Sequence, residues 1–338
     1  MKLKICLFIM LIASSCTAWA QDPHFSQYQA APLTINPAMT GYLDGDSRLS
    51  LNFRTQYYSA GGSFRTGVIS YEMITNSAML QAKDQFAIGI IGLFDQSAGG
   101  GYRTMNAGVS GSYRKLLNES GNKRISMGAK VVLNSRALNT SSLTYASQFA
   151  SYGFDLSRPN NENIPASSKT YADASVGLMF NNHNEQNRFY AGAALYHLNR
   201  PDVSFQNDAK YKLPTRAVLH GGYRTYVGGL NNYVLFNTNV MLQGGASNIM
   251  FGGLYGLALG DFESGLSIDM GAWYRLNDAV IPYVGFNVSN IQIGVSYDNV
   301  VSGLKQASPR LGSFEVSLRY NGVKSDNPYI KNIMGRSF

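Results

Sequence analysis

A histidine and a serine near the start of the chain are the residue types of a hydrolytic pair. His24-Phe25-Ser26 places an imidazole near a hydroxyl that a base of this kind activates as a nucleophile. In outer-membrane phospholipases such a pair sits on a barrel strand and faces lipid. Here the pair precedes the first predicted strand, so we predict that the protein is not an enzyme.

Other candidates for metal or cofactor chemistry are scattered along the chain. His183, His197 and His220 lack the spacing of metal ligands, and we expect them to be interfacial or lumenal side chains. Gly99-Gly100-Gly101 has no Lys-Ser/Thr after it, which a phosphate-binding loop requires, and this favours a tight turn. We therefore predict no metal and no other cofactor.

The composition indicates which protein classes are excluded. Of the 338 residues, 14% are charged, against about a quarter in soluble domains, while the mean hydropathy is −0.13. Scarce charge with 22 tyrosines and 35 glycines is typical of strands with one lipid-facing and one polar face. The net charge of +8 is spread without a Lys/Arg run, so we predict no nucleic-acid binding.

The first twenty residues have the three parts of a signal peptide. Two lysines precede an apolar core over 5–13, and Ala18-Trp19-Ala20 is a small-x-small cleavage site, so the mature chain is predicted to begin at Gln21. Both cysteines lie within this segment, and the mature chain has no disulfide bond. A lipoprotein at Cys16 is the weaker alternative, because no leucine stands three residues before it.

Beyond residue 20 the apolar residues recur with a period of two. A membrane-spanning helix needs about 18–20 consecutive apolar residues, and no such run is present. Leu49, Leu51 and Phe53 alternate with polar residues, as in a strand with one apolar face. Similar stretches are predicted at 48–58, 64–74, 85–97, 102–117, 123–138, 171–181, 187–200, 215–228, 232–244, 247–259, 264–276, 279–288, 290–300 and 312–322.

These stretches predict an all-β fold, a transmembrane antiparallel β-barrel of about 14 strands over 48–322, with 12–16 possible. The spacing of roughly 20 residues per strand and turn is that of outer-membrane barrels. A soluble β-sandwich also has alternating strands, but the signal peptide and the tyrosines near strand ends favour the barrel. Inward-facing candidates are Arg114, Lys130, Asp269 and Arg275.

The lengths of the connections predict the orientation of the barrel. Connections after odd-numbered strands include 139–170 and 203–214, whereas those after even-numbered strands are mostly short. Long connections face the cell exterior and short turns face the periplasm. We expect 139–170 to be exposed, and its aromatic residues to pack over the barrel mouth or contact a partner: Tyr145, Phe149, Tyr152 and Phe154.

Residues 21–47 are predicted to form a plug-like segment in the periplasmic mouth. Three prolines prevent a regular helix or ladder, and five apolar side chains need burial; these are Pro23, Pro32, Pro37, Phe25, Tyr28, Leu33, Ile35 and Met39. Asn36 is suited to fix the turn into Pro37, and Gly41 to supply a joint with positive φ. We expect Asp22 and His24 to face the periplasm.

This segment also carries a family resemblance. Asp22-Pro23-His24-Phe25-Ser26-Gln27-Tyr28, followed by Ile35-Asn36-Pro37-Ala38 and Gly41, resembles the start of the PorP/SprF family. Tyr57 stands where the commoner residue is tryptophan, and the tail 323–338, predicted to be periplasmic, matches nothing in the family. Further matching motifs contain Arg54, Gln56 and Tyr57, then His197 and Pro201, then Tyr297, Asp298 and Ser302, and finally 312–318.

The resemblance implies an outer-membrane component of the type IX secretion and gliding machinery of Bacteroidota. Such a protein acts in export or surface retention of secreted adhesin-type substrates. Its implied partners are outer-membrane lipids, periplasmic ring or peptidoglycan-binding components, and the secreted substrate.

Asn36-Pro37-Ala38 also occurs in the N-terminal hatch of FadL-type barrels. The alternative function is therefore an outer-membrane channel for hydrophobic compounds or other small molecules. The same tripeptide in aquaporins caps half-helices in pairs, and the single copy here excludes that fold.

Overall fold

The computed structural model describes residues 22–57, 64–75, 84–139, 143–161, 167–184, 186–205, 211–228, 232–259, 265–303 and 312–322. The predicted signal peptide and the tail 323–338 lie outside the described residues. No helix in these ranges is long and apolar enough to cross a membrane.

In the described ranges, fourteen antiparallel strands close into a barrel in which each strand pairs with its sequence neighbours and the last pairs with the first. The predicted fold class is confirmed. The strands are β1 (Ser47–Gln56), β2 (Phe64–Thr75), β3 (Gln85–Ser97), β4 (Tyr102–Leu116), β5 (Lys123–Leu138), β6 (Ser168–His183), β7 (Asn187–Tyr196), β8 (Arg216–Val227), β9 (Asn232–Gln243), β10 (Ala246–Ala258), β11 (Ser267–Arg275), β12 (Ala279–Val288), β13 (Ile291–Val300) and β14 (Gly312–Gly322).

Strand ends differ from the prediction where the backbone leaves the extended region. β7 ends at Tyr196 instead of residue 200, because His197 has a φ of 58° and Arg200 one of 42°. These left-handed conformations cannot continue a ladder. β6 starts at Ser168, before the predicted 171, so the preceding connection is shorter than expected.

Each strand separates its residues between two environments. On β1, Arg48, Ser50 and Asn52 are buried inside the barrel, whereas Leu51 and Phe53 are exposed on the outer face. Successive side chains of a strand point to opposite faces, so the alternation seen in the sequence becomes an apolar exterior and a polar lumen. This is the arrangement that a barrel in lipid requires.

The two ends of the barrel differ in their connections. We call the end formed by connections after odd-numbered strands the long-loop end, and the other the short-turn end. The β5–β6 connection carries a two-residue ladder between Phe149–Ala150 and Gly153–Phe154. Phe149, Tyr152 and Phe154 are 61%, 75% and 53% exposed, so they do not pack over the barrel mouth.

The outward face predicts the effect of a buried charge on insertion. Val131 lies halfway along β5 on this face, and we expect Val131→Arg to destabilise the inserted barrel by about 2–4 kcal/mol, because a cation at the bilayer midplane is poorly solvated. Ser135→Arg, on the same face nearer the rim, should cost about 0–1 kcal/mol. Urea unfolding in lipid vesicles, followed by heat-modifiable gel migration, measures both. Equal losses would contradict this position in the bilayer.

Candidate functional site

The N-terminal segment, residues 22–46, lies inside the barrel. It contains three single-turn 3-10 helices, Tyr28–Ala30, Pro32–Thr34 and Pro37–Met39. Prolines begin the second and third turns, where the missing N–H is not needed. Short turns leave many backbone groups without partners inside the segment, and the barrel wall supplies those partners.

Asp22 is held at the long-loop end by inward-facing side chains. Its N–H donates to Gln243 Oε1 at 3.0 Å, and its carboxylate lies 2.6 Å from His197 Nε2 and 3.2 Å from Arg216 Nη1. Burial alone raises the pKa of Asp22, but Arg216 and His197 outweigh burial and hold this pKa below its ordinary value. The carboxylate is therefore ionised in the folded protein.

His197 joins two carboxylates at this end. Its Nδ1 lies 3.0 Å from Asp173 Oδ2, on the side opposite Asp22. Burial lowers the pKa of His197, while Asp173 and Asp22 raise it, and the net pKa is above the ordinary 6.5. The arrangement favours the imidazolium form.

The expectation that Asp22 and His24 face the periplasm is wrong. Both lie near the long-loop end, whereas Asp46 is at the short-turn end, where its carbonyl accepts from Ile74 N–H at 2.8 Å. The segment runs through the length of the lumen because its apolar side chains find burial along the whole wall. Burial and the neighbouring Arg54 also hold the pKa of His24 well below its ordinary value.

Four charged side chains surround the start of the segment. Asp298 Oδ2 lies 2.7 Å from Arg54 Nη2 and 2.9 Å from Arg275 Nη2. Ser26 Oγ donates to Asp298 Oδ1 at 2.7 Å. With Glu315, 3.7 Å from Arg54, the cluster has equal numbers of cations and anions. All four charged residues are buried, and removing one partner of a buried pair costs about 3–5 kcal/mol.

Glu315 binds the backbone of the segment directly. Its two carboxylate oxygens accept from Ser26 N–H at 2.7 Å and Gln27 N–H at 2.8 Å. Asn52 Nδ2 donates to the same carboxylate at 2.9 Å. On the carbonyl side, Arg54 Nη1 donates to the carbonyl of His24 at 2.6 Å. The seam strands β1 and β14 therefore fix the conformation of these residues.

The apolar side chains of the segment pack in two groups. Tyr28 belongs to the larger group, and its hydroxyl donates to Asn237 Oδ1 at 2.6 Å, which also accepts from Trp273 Nε1 at 2.5 Å. Phe25 and Leu33 pack with residues of β2 and β3 in the second group. Full burial of such a side chain contributes about 1.5–3 kcal/mol.

Both the oxygen and the nitrogen of the Asn36 side-chain amide form hydrogen bonds. Its Oδ1 accepts from Ala38 N–H at 2.8 Å and caps the third 3-10 turn. Its Nδ2 donates to the carbonyl of Leu178 at 2.9 Å and that of Ala193 at 3.2 Å, and lies 2.9 Å from His220 Nε2. The predicted turn into Pro37 thus also attaches to three neighbouring strands.

Inward-facing glycines make room for this turn. A Cβ added to Gly128 on β5 would lie 2.3 Å from the carbonyl carbon of Pro37, and one on Gly177 of β6 would lie 1.8 Å from Asn36 Oδ1. Gly128 and Gly177 are directly paired in the sheet. The backbone of the barrel wall therefore lies in direct contact with the segment at Asn36 and Pro37.

Gly41 lies in the last part of the segment, six residues before β1. It has a φ of 73°, and an added Cβ would lie 2.3 Å from Ala87 Cβ. Its N–H donates to Glu72 Oε2 at 2.7 Å, and its carbonyl accepts from Arg114. Glu72 is fixed in turn by Arg48, whose Nε donates at 2.8 Å.

Comparison with protein families identifies the chain. The sequence model described as "Type IX secretion system membrane protein PorP/SprF" matches residues 18–320. The chain belongs to the PorP/SprF family. Family membership and the closed barrel place the protein in the outer membrane, as a component of the type IX secretion system that interacts with membrane lipids and with other parts of that machinery.

Comparison with solved structures finds other barrels at low identity. A FadL homologue of Pseudomonas aeruginosa is 11% identical, with 85% of this chain and 92% of that chain covered and a TM-score of 0.48. The toluene transporter TodX of Pseudomonas putida is 8% identical, with 89% and 95% covered and a TM-score of 0.47. A search of curated proteins gives no match.

The matching motifs of this PorP/SprF member divide into two groups. Arg54, His197 and Asp298 contact the N-terminal segment. The other matching residues lie at a strand end, in connections or on the outer face. They are Gln56 at the end of β1, Tyr57, whose N–H donates to the Gly312 carbonyl at 2.9 Å, Pro201, whose carbonyl accepts from Leu213, Tyr297 on the outer face, and Ser302, whose N–H donates to the Asp278 carbonyl at 3.2 Å.

Several residues of the site were not predicted from the sequence. Glu72, Asp173, Arg216 and Glu315 each hold the segment or a residue that holds it. All four lie in stretches predicted to be strands, where a charged residue next to apolar residues was the available signal. Their partners in the segment belong to the family-matching motif, but nothing in that motif indicates which wall residue each one meets.

Close packing at Gly128 predicts a selective effect on the segment. We expect Gly128→Ala to weaken docking of residues 28–42 by about 1–3 kcal/mol, because the added methyl meets backbone that cannot rotate away. Gly111→Ala on β4 is the matched control, since its added Cβ has no atom closer than 3.7 Å. Hydrogen exchange of the segment amides measures the effect. Unchanged exchange in Gly128→Ala would contradict the docked position.

The His197 contacts predict a dependence on pH. A group whose pKa is raised by folding stabilises the folded state fully below its ordinary pKa and loses that effect as pH rises through the raised pKa. We therefore expect Asp22 to detach more readily above pH 6.5, whereas the lowered pKa of Asp22 matters only in acid. Maleimide labelling of Pro23→Cys, normalised to a free thiol, reports detachment. In the His197→Asn variant the labelling of the introduced cysteine should no longer increase with pH. An identical increase in that variant would refute this mechanism.

Proposed function

We propose that the protein acts in export or surface retention of secreted adhesin-type substrates by binding partners at its two ends. In this role it binds substrates without chemical change, and it does not conduct solutes. The observation that carries the proposal is that the N-terminal segment lies in the lumen and is bonded to the wall on many sides. A lumen filled in this way leaves the ends of the barrel as the surfaces for partners.

The long-loop end suits the secreted substrate. Phe149, Tyr152, Phe154 and Leu156 are all more than half exposed in one connection, and clustered exposed apolar side chains mark interaction surfaces. The rings of Phe149 and Phe154 are 5.1 Å apart, so these two side chains form one continuous apolar surface.

The short-turn end suits a periplasmic ring or peptidoglycan-binding component. The segment reaches this end at Asp44, whose Oδ1 accepts from Arg188 Nη1 at 3.0 Å while its side chain stays 31% exposed. The segment extends from one end of the barrel to the other. It therefore connects the surface that binds a periplasmic partner to the surface that binds the substrate.

Deleting residues 22–36 tests this proposal. The barrel should still insert, because the charged cluster that remains has no net charge and water can solvate it. Adhesin display should be lost and single-channel conductance in planar bilayers should appear. The comparison variant is Phe149→Ser with Tyr152→Ser and Phe154→Ser, which should stay closed and lose display only.

Two results would oppose the proposal. A deletion variant that assembles, stays closed and displays adhesin normally would show that the segment has no such role. A large open conductance of the unmodified protein would favour the alternative, a channel for hydrophobic or other small molecules.

A further inference from the structure

The charged residues on the outer surface of the barrel are confined to one side. On the described strands, every carboxylate lies on an inward-facing position, and the outward positions with charge carry only cations. These are Arg65 on β2, Arg103 and Lys115 on β4, and Lys123 on β5, all exposed. The outward-facing positions of β6 to β14, as far as the described strands extend, carry no charged residue.

Two of these cations lie in one row at the long-loop end. Arg65 pairs with Gln96 of β3, and Gln96 pairs with Arg103. The two arginines are thus two strand spacings apart, about 10 Å between backbones. Gln96 between them adds an amide that donates hydrogen bonds, so the row presents donors across three strands.

An apolar surface lies directly below this row, toward the middle of the membrane. Phe53, Gly67, Phe94 and Met105 are neighbours in register on β1 to β4. The Phe94 ring covers Gly67, where an added Cβ would lie 2.2 Å from it, and is 6.1 Å from the Phe53 ring. The combined surface has cations at the rim and a continuous apolar patch beneath.

We infer that this surface binds a phosphorylated glycolipid of the outer leaflet. The phosphates of a headgroup with two such groups meet Arg65 and Arg103, and the acyl chains lie on Phe53, Phe94 and Met105. Guanidinium groups bind phosphate through paired hydrogen bonds. A lipid fits better than a protein because the surface faces the bilayer and the long-loop end is the exterior end of such barrels.

The test uses the full-length protein in phosphatidylcholine nanodiscs with a small fraction of lipid A, scored by native mass spectrometry. Arg65→Gln with Arg103→Gln should lower lipid A binding by about 30-fold, since each cation near an anionic surface contributes roughly a fivefold factor. Lys115→Gln with Lys123→Gln, at the opposite rim, should leave it unchanged. Heat-modifiable migration confirms that both double variants are folded.

The lipid is varied in the same assay. Dephosphorylated lipid A should bind as weakly to the unmodified protein as lipid A does to the arginine variant, and phosphatidylglycerol at equal phosphate should bind less tightly than lipid A. The inference is overturned if dephosphorylation has no effect, if phosphatidylglycerol binds equally well, or if both double variants lose binding to the same extent.

Discussion

Backbone groups buried away from water require hydrogen-bond partners, and a segment of short turns enclosed by a barrel cannot supply them itself. The wall does so with side chains. Glu315 and Glu72 accept from N–H groups of the segment, while Arg54 and Lys130 donate to the carbonyls of His24 and Leu33. The polar lumen is thus matched to one particular backbone path.

That matching explains why most charged side chains of the strands face the lumen of the barrel. Several inward arginines end on carbonyl groups of the segment or on carboxylates that hold it. Such contacts are directional, so they select one conformation of the segment from those that apolar packing alone would allow. Apolar burial supplies attraction, and the polar contacts supply position.

The strands were predictable because lipid outside and a polar lumen inside impose a period of two on each of them. Three residues of the family motifs, His197, Arg54 and Asp298, contact the segment in the structure. Their partners could not be predicted, because the contacts join distant parts of the chain: Ser26 and Asp298 are 272 positions apart. The direction of the segment was mispredicted for the same reason, since neither Asp22 nor Pro23 indicates which end of the lumen it occupies.

The seam between β1 and β14 has a consequence for assembly. Asn52 on β1 donates a hydrogen bond to Glu315 on β14 across the closing pair of strands, and both residues bind the same stretch of the segment. A barrel that closed first would have to admit some twenty-five residues through a finished mouth, past side chains already paired with one another. The geometry favours the reverse order, in which the segment binds to the open sheet before the barrel closes. The sheet then curves around the segment, and β1 and β14 pair at the point where both already bind residues of the segment.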